Sequence, residues 1–340
     1  MNTNDFNFEL PEELIAQTPL QQRANSRLLV LHRDSRDYED KHFYDIIDYL
    51  KPGDVLVRNN TRVLPARLFG TKEETNAHVE LLLLKQNGNI WQCLVGNARV
   101  VKLGTMISFN NGELKAKCTA IYDKGIRDFE MIYEGVFLEI LERLGNVPLP
   151  PYIKTQLQDK ERYQTIYSKV EGSAAAPTAG LHFTTELFDK ISEMGVEILD
   201  VTLHIGLGTF RPVAVEDISN HQMHSEWYQM SQEVAQKLNL AKKENRRIIA
   251  VGTTTTRTLE AIVKKFGNFQ ADMDETSIFI YPGYKFEAID AQITNFHLPK
   301  STLLMLVSAF ADKQLVLEAY QHAVKERYRF FSFGDSMLIL

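Results

Sequence analysis

The spacing of apolar residues changes period along the chain, and each change predicts a different kind of element. Residues 27–32 (Arg-Leu-Leu-Val-Leu-His) form a continuous apolar run that predicts a buried strand. A Pro-Glu-Glu helix start follows the extended piece at Phe8, and Pro19 ends it. Phe43, Ile46, Ile47 and Leu50 then recur at helical spacing, and Lys51-Pro52-Gly53 stops that helix before a strand over 54–57. Beyond Asn59-Asn60-Thr61-Arg62 the texture becomes short β-type segments at 79–84, 90–95, 106–109, 114–122 and 127–133. Asn87-Gly88, Asn111-Gly112 and Lys124-Gly125 mark the turns between them. Five or six short strands so close together predict a small antiparallel barrel or sandwich.

A short helix over 137–144 is followed by Pro148, Pro150 and Pro151, which suit neither a helix nor a central strand and predict a rigid extended connection. Helical spacing returns at Leu187, Phe188, Ile191 and Met194. Then the unit strand, glycine-containing turn, helix occurs twice, through Gly206 and Gly208 and through Gly252-Thr253-Thr254. The expected fold class is therefore α/β: a mostly parallel-sheet domain, residues 1–60 and 147–340, interrupted by a small antiparallel β-barrel domain, 61–146. Ligands of such sheets bind beyond the carboxyl ends of the strands, where Gly206, Gly208, Gly252 and Thr253 would fall.

Composition narrows the classes. The 340 residues are 44% hydrophobic and 24% charged, enough for a full core. Two cysteines, Cys93 and Cys118, lack C-x-x-C spacing, so no disulfide scaffold, zinc or iron-sulfur site is indicated, and alternation places both on apolar faces. The amino terminus predicts no signal peptide, and the apolar run around 303–307 is a core helix far shorter than the roughly 20 residues of a membrane span. A net charge of −6 argues against indiscriminate nucleic-acid binding. A cytoplasmic protein is expected.

Candidate chemistry gathers in a few stretches. Residues 173–183 are small and broken by Pro177 and Gly180, so a ligand can approach the backbone at Thr178, Ala179 and Gly180, with His182 next; close helix packing explains the same residues. His204 stands at a strand end before Gly206. His224, Glu226, Trp227 and Tyr228 combine a proton carrier, a carboxylate and two stacking surfaces within five residues, a density unusual for a surface loop; an aromatic pair anchoring the loop to the core explains the same residues. Asn295, His297 and Lys300 precede a helix for which Ser301 is the expected N-cap. Tyr328-Arg329-Phe330-Phe331 suits either stacked bases or a C-terminal core strand. Lys242, Lys243, Arg246 and Arg247 form a basic cluster of the kind that usually faces solvent. P-loop, H-E-x-x-H and G-x-S-x-G patterns are absent.

Several long motifs occur together: Ala-Ala-Pro-Thr-Ala-Gly-Leu-His-Phe at 175–183, His-Ile-Gly-Leu-Gly-Thr-Phe-Arg-Pro-Val at 204–213, Met-His-Ser-Glu-Trp at 223–227, Thr-Asn-Phe-His-Leu-Pro-Lys-Ser at 294–301 and Asn-Asn-Thr-Arg-Val-Leu-Pro-Ala-Arg at 59–67. In that order they resemble the S-adenosylmethionine:tRNA ribosyltransferase-isomerases of queuosine biosynthesis, over nearly the whole chain. The resemblance departs slightly at Thr255-Thr256 and Phe333. It implies an enzyme that moves the ribosyl part of S-adenosylmethionine, a co-substrate, onto 7-aminomethyl-7-deazaguanine at the wobble position of tRNAs with a G-U-N anticodon. Epoxyqueuosine in tRNA, adenine and methionine would be the products, with no prosthetic group, no metal and a monomeric protein.

That chemistry makes His204 and His297 the leading acid/base candidates, with His182 and His224 as further ones and Glu226 as an orienting carboxylate or ribose ligand. Thr178, Ala179, Gly180, Gly206, Gly208, Thr209, Gly252, Thr253 and Thr254 are expected to receive the adenosine and methionine parts, and Trp227 or Phe210 to face the sulfonium. Arg62, Arg211, Arg257, Asn295 and Lys300 are expected to bind substrate. An S-adenosylmethionine-dependent RNA methyltransferase and a non-catalytic RNA-binding protein are the alternatives.

Overall fold

The apolar runs become the strands of a large mixed sheet. The computed structural model describes residues 1–155, 157–206, 213 and 215–340. In chain order these form β1 (Arg27–Leu31), β2 (Tyr38–His42), β3 (Val55–Asn59), β4 (Thr61–Val63), β5 (Arg67–Lys72), β6 (His78–Asn87), β7 (Ile90–Gly96), β8 (Met106–Phe109), β9 (Leu114–Ile121), β10 (Ile126–Tyr133) and α1 (Phe137–Leu144). There follow β11 (Val170–Ser173), α2 (Thr185–Glu193), β12 (Glu197–Leu203), β13 (Glu226–Met230), α3 (Gln232–Lys243), β14 (Ile248–Val251), α4 (Thr253–Phe266), β15 (Asp272–Thr276), β16 (Ala291–Asn295), α5 (Thr302–Ala311), α6 (Lys313–Lys325) and β17 (Ser336–Ile339).

The chain divides into two compact units, Met1–Arg62 with Pro151–Val170 and Ala176–Leu340, and Val63–Pro150 with Glu171–Ala175. In the larger unit the described strands form a nine-stranded sheet in the order β15-β13-β12-β3-β14-β16-β17-β1-β2. Its centre is parallel: β3 pairs in parallel with β12 and β14, and β14 with β16. The flanking strands β13, β15 and β17 add antiparallel pairings. Central strands covered on both faces must be apolar throughout, and Ile248 to Val251 and Leu28 to Leu31 are accordingly buried. Ile249 and Val251 join a core with Leu28, Leu56, Ile293, Phe43, Phe183, Leu187 and Ile191. The alternate residues, Ile248 and Ala250, point to the opposite face, against which α3 and α4 pack.

Polar caps set the helix starts. Thr184, Ser231 and Ser301 accept from the backbone N–H three residues on at α2, α3 and α5. Ser301 therefore caps as its sequence position predicts.

In the smaller unit six strands close into an antiparallel barrel, β10-β7-β6-β5-β8-β9, as the alternating segments predict. Cys93 and Cys118 are buried free thiols in its wall, and burial pushes the Cys93 thiol far up. At Gly70 a Cβ would stand 2.6 Å from the Phe109 ring, so only glycine lets that ring into the barrel.

Three readings of local structure need correction. The period at Phe43–Tyr49 belongs to a 3-10 helix, in which Phe43 and Ile46, three apart, carry the buried side. The Pro-Glu-Glu start gives only a 3-10 turn, Glu12–Leu14. Residues 226–230 are a strand: Glu226, Tyr228 and Met230 are buried in alternation with half-buried Trp227 and Gln229, a period that a buried carboxylate disguises.

Candidate active site

The carboxyl ends of β3, β12, β14 and β16 lie at one edge of the sheet and deliver Asn59–Arg62, Leu203–Gly206, Gly252–Thr254 and Asn295–His297. Asn59 ties three of these ends together. Its Oδ1 accepts from the backbone N–H of Thr61 (3.1 Å) and Leu203 (3.0 Å), and its Nδ2 donates to the Leu203 carbonyl (3.0 Å) and Thr254 Oγ1 (3.2 Å). A fully buried amide with all these bonds made fixes the mouth of the site. Gly252, at φ +90°, turns the chain from β14 into α4, and a Cβ added there would lie 3.7 Å from Ala179 Cβ.

His204 occupies this mouth. Its ring stacks on Trp227 at 4.7 Å and 17°, and Nδ1 lies 2.8 Å from Thr61 Oγ1. The Thr61 hydroxyl also lies 3.4 Å from the Val170 carbonyl; in the tautomer whose Nδ1–H donates to Thr61 Oγ1, the lone pair is on Nε2. Burial pushes His204 down to about 4, so the imidazole is neutral near pH 7.

Beside it Glu226 and Arg257 form a buried ion pair, with side chains 3% and 4% exposed. Glu226 Oε1 also accepts from the Gly206 N–H at 3.0 Å while Oε2 takes Arg257 Nη1. Nε and Nη2 of Arg257 have no hydrogen-bond partner among the described residues. Desolvating two charges is expensive, and an unused pair of donors adds to that cost; a ligand carboxylate would relieve it.

A second group surrounds His182. Nε2 accepts from Asn295 Nδ2 at 3.3 Å, and Nδ1 lies 2.7 Å from Ser26 Oγ, whose hydroxyl can pass its own proton to the Arg23 carbonyl at 3.2 Å. The ring stacks on Phe43 at 5.0 Å. Both nitrogens are thus engaged, and burial lowers the group to about 3. His297 Nε2 lies 2.8 Å from Thr294 Oγ1, its backbone N–H donates to the Tyr320 hydroxyl at 3.0 Å, and burial pushes it down to about 3.

The scan against protein families matches residues 3–339 to a model described as queuosine biosynthesis protein. Among solved structures the chain is similar to a crystal structure of S-adenosylmethionine tRNA ribosyltransferase from Thermotoga maritima, at 39% identity and a TM-score of 0.57, over 99% of this chain and 100% of that one. The chain belongs to the queuosine biosynthesis family.

Within this queuosine-family chain, the sheet edge unites His204, Gly206, Glu226, Trp227 and Arg257 with Gly252, Thr253 and Thr254. Asn295 links to His182, which closes the 3-10 helix Thr178–His182 containing Ala179 and Gly180. Other candidates have different surroundings. His224 is exposed, Arg62 is bound to Glu161 (2.5 Å) and Ser168 (3.1 Å), and Lys300 is half-buried, with its backbone N–H on the Phe6 carbonyl. Gly208, Thr209, Phe210 and Arg211 lie outside the described residues.

Three members of the basic cluster are in ion pairs, Lys242 with Asp290, Arg246 with Glu197 and Arg247 with Asp54, and Lys243 is exposed. Asn59, Thr61 and Ser26, which orient the site, escaped residue-by-residue reading because nothing in sequence spacing shows what a buried amide or hydroxyl meets. Among the described residues no group of three His, Cys, Asp or Glu side chains could hold a metal, and no helix is long and apolar enough to cross a membrane.

Proposed function

We propose that this chain is a tRNA ribosyltransferase-isomerase that transfers and isomerises the ribosyl part of S-adenosylmethionine onto 7-aminomethyl-7-deazaguanine in tRNA, releasing adenine and methionine. The observation that carries this reading is the likeness to the ribosyltransferase along 99% of the chain at 39% identity. The geometry at the sheet edge supplies the parts the chemistry needs.

The sulfonium acidifies the adjacent 5′ C–H of the ribose and stabilises the carbanion left there, so a weak but desolvated base suffices to begin the rearrangement. His204 takes that form in the tautomer that donates Nδ1–H to Thr61: a neutral ring with the lone pair on Nε2, stacked on Trp227. The Trp227 ring also offers a face to the sulfonium. Arg257 directs its two unused N–H donors at the methionine carboxylate, with Glu226 holding the guanidinium in place. Backbone groups at Thr178, Ala179 and Gly180, at Gly206, and at Gly252 to Thr254 receive the adenosine. His297 assists departure of adenine. Arg62 and Lys300 contact the polynucleotide, Asn295 orients His182, and the wobble base leaves its stack to reach the site.

The enzyme works as a cytoplasmic monomer on tRNAs with a G-U-N anticodon, without a prosthetic group. Incubation with S-adenosylmethionine and such a tRNA, followed by nuclease digestion and mass spectrometry, should reveal the epoxyqueuosine nucleoside. A methylated nucleoside instead would refute this reading.

A further inference from the structure

Three arginines gather beside His182, and none of them forms an ion pair among the described residues. Arg23 Nη1 donates to the Leu181 carbonyl (3.1 Å) and Nη2 to those of Glu161 (3.1 Å) and Gln164 (3.0 Å). Arg162 reaches the carbonyls of Gln21 (3.2 Å) and Leu20, and Arg329 that of Thr18. Arg162 Nε and Arg329 Nη1 are buried with no partner among the described residues. The nearby acids make their hydrogen bonds to other groups. Glu161 pairs with Arg62, Asp159 accepts from the Glu161 N–H, and Asp335 accepts from the backbone N–H groups of Arg27 and Arg329.

Neutral carbonyls hold these guanidiniums in place in partly buried surroundings; Arg162 repels Arg23, and Asp159 and Glu161 offset that only from a distance, without an ion pair to either arginine. A cleft of about 20 Å³ opens among Leu20, Arg23, Ser26, Arg162, His182 and Ser332. That is room for an oxygen atom or two, not for a whole ligand.

We propose that Arg23, Arg162 and Arg329 receive a phosphodiester of the tRNA. The proposal rests on the substrates assigned above, in which Arg257 already takes the carboxylate of S-adenosylmethionine. Planar, always-charged forks backed by carbonyls suit a two-oxygen anion of this kind.

Binding of an anticodon stem-loop RNA and of S-adenosylmethionine, measured separately on R23Q, R162Q and R329Q, tests it. Affinity for the RNA should fall at least about tenfold while that for S-adenosylmethionine holds, and lysine at the same positions should restore part of it, which a purely structural role would not do. The dependence of log K on log salt also becomes shallower by about 0.7 per lost contact. Where a variant does not fold, dicarbonyl modification of the wild-type arginines with peptide mapping replaces it, and the RNA should protect them. Unchanged affinity for the RNA in folded variants, a loss confined to S-adenosylmethionine, or modification that the RNA does not slow overturns the proposal. Adenine release by the wild type tests the substrate assignment separately.

Discussion

At the scale of the residue, the site depends on neutral histidines and one buried charge pair. If His204 removes the ribose proton, His204→Ala should lower kcat by about 10²–10⁴-fold while S-adenosylmethionine and tRNA still bind. Single-turnover adenine release checks the first, and equilibrium binding the second; undiminished turnover would remove His204 from the chemistry. Glu226→Gln leaves the Arg257 charge buried without its counterion, and urea denaturation should show a loss of about 3–5 kcal/mol.

The histidines also set a pH dependence of stability. Burial holds His182 and His297 near 3, against 6.5 for an ordinary histidine. Between those values the unfolded chain binds protons that the folded chain refuses. The stability is thus complete above about 6.5 and drains away as the pH falls below it, by up to about 1.4 kcal/mol per pH unit for each ring. Urea midpoints measured at pH 7 and pH 5 should differ in that direction, and His182→Asn should flatten the difference. A midpoint that held steady, or rose on acidification, would contradict the burial of these rings as neutral groups.

At the scale of the element, the 3-10 helix Thr178–His182 is placed by close contact. A Cβ on Gly180 would meet the Tyr167 hydroxyl at 2.0 Å and Thr165 Cγ2 at 2.8 Å. That hydroxyl is buried without a partner among the described residues. Gly180→Ala should therefore cost about 1–3 kcal/mol by overpacking, and Tyr167→Phe, which removes the clashing oxygen, should recover part of it. A double-mutant cycle by thermal melting with no coupling would exclude this contact as the reason for glycine.

Elements with a clean period were legible in the sequence. The run at 27–31, the helix Phe137–Leu144 and the alternating segments of the barrel each repeat their burial pattern in their apolar spacing. Elements that bury polar groups were not. Strand β13 places Glu226 inside, and the turn containing Phe43 uses a three-residue repeat that over seven residues passes for an α-helix. For the site, the sheet-end rule located Gly206 and Gly252, and the long motifs supplied the family. The partnership of Glu226 with Arg257, 31 positions apart, and of His204 with Thr61, 143 apart, follows from topology that spacing alone does not encode.

At the scale of the whole molecule, an acidic chain has to hold a polyanion. The cations that remain for such a partner are local, so binding should weaken as salt rises, with a slope set by the few phosphates contacted. Filter binding across a salt series reads that slope, and an affinity independent of salt would contradict a phosphate-led mode. The central claim, ribosyl transfer, is tested most directly by separating the small molecules formed from S-adenosylmethionine with and without tRNA bearing 7-aminomethyl-7-deazaguanine. Adenine and methionine in equal amounts, released only with that tRNA, are the expected result. S-adenosylhomocysteine, or no turnover despite tight tRNA binding, would contradict it.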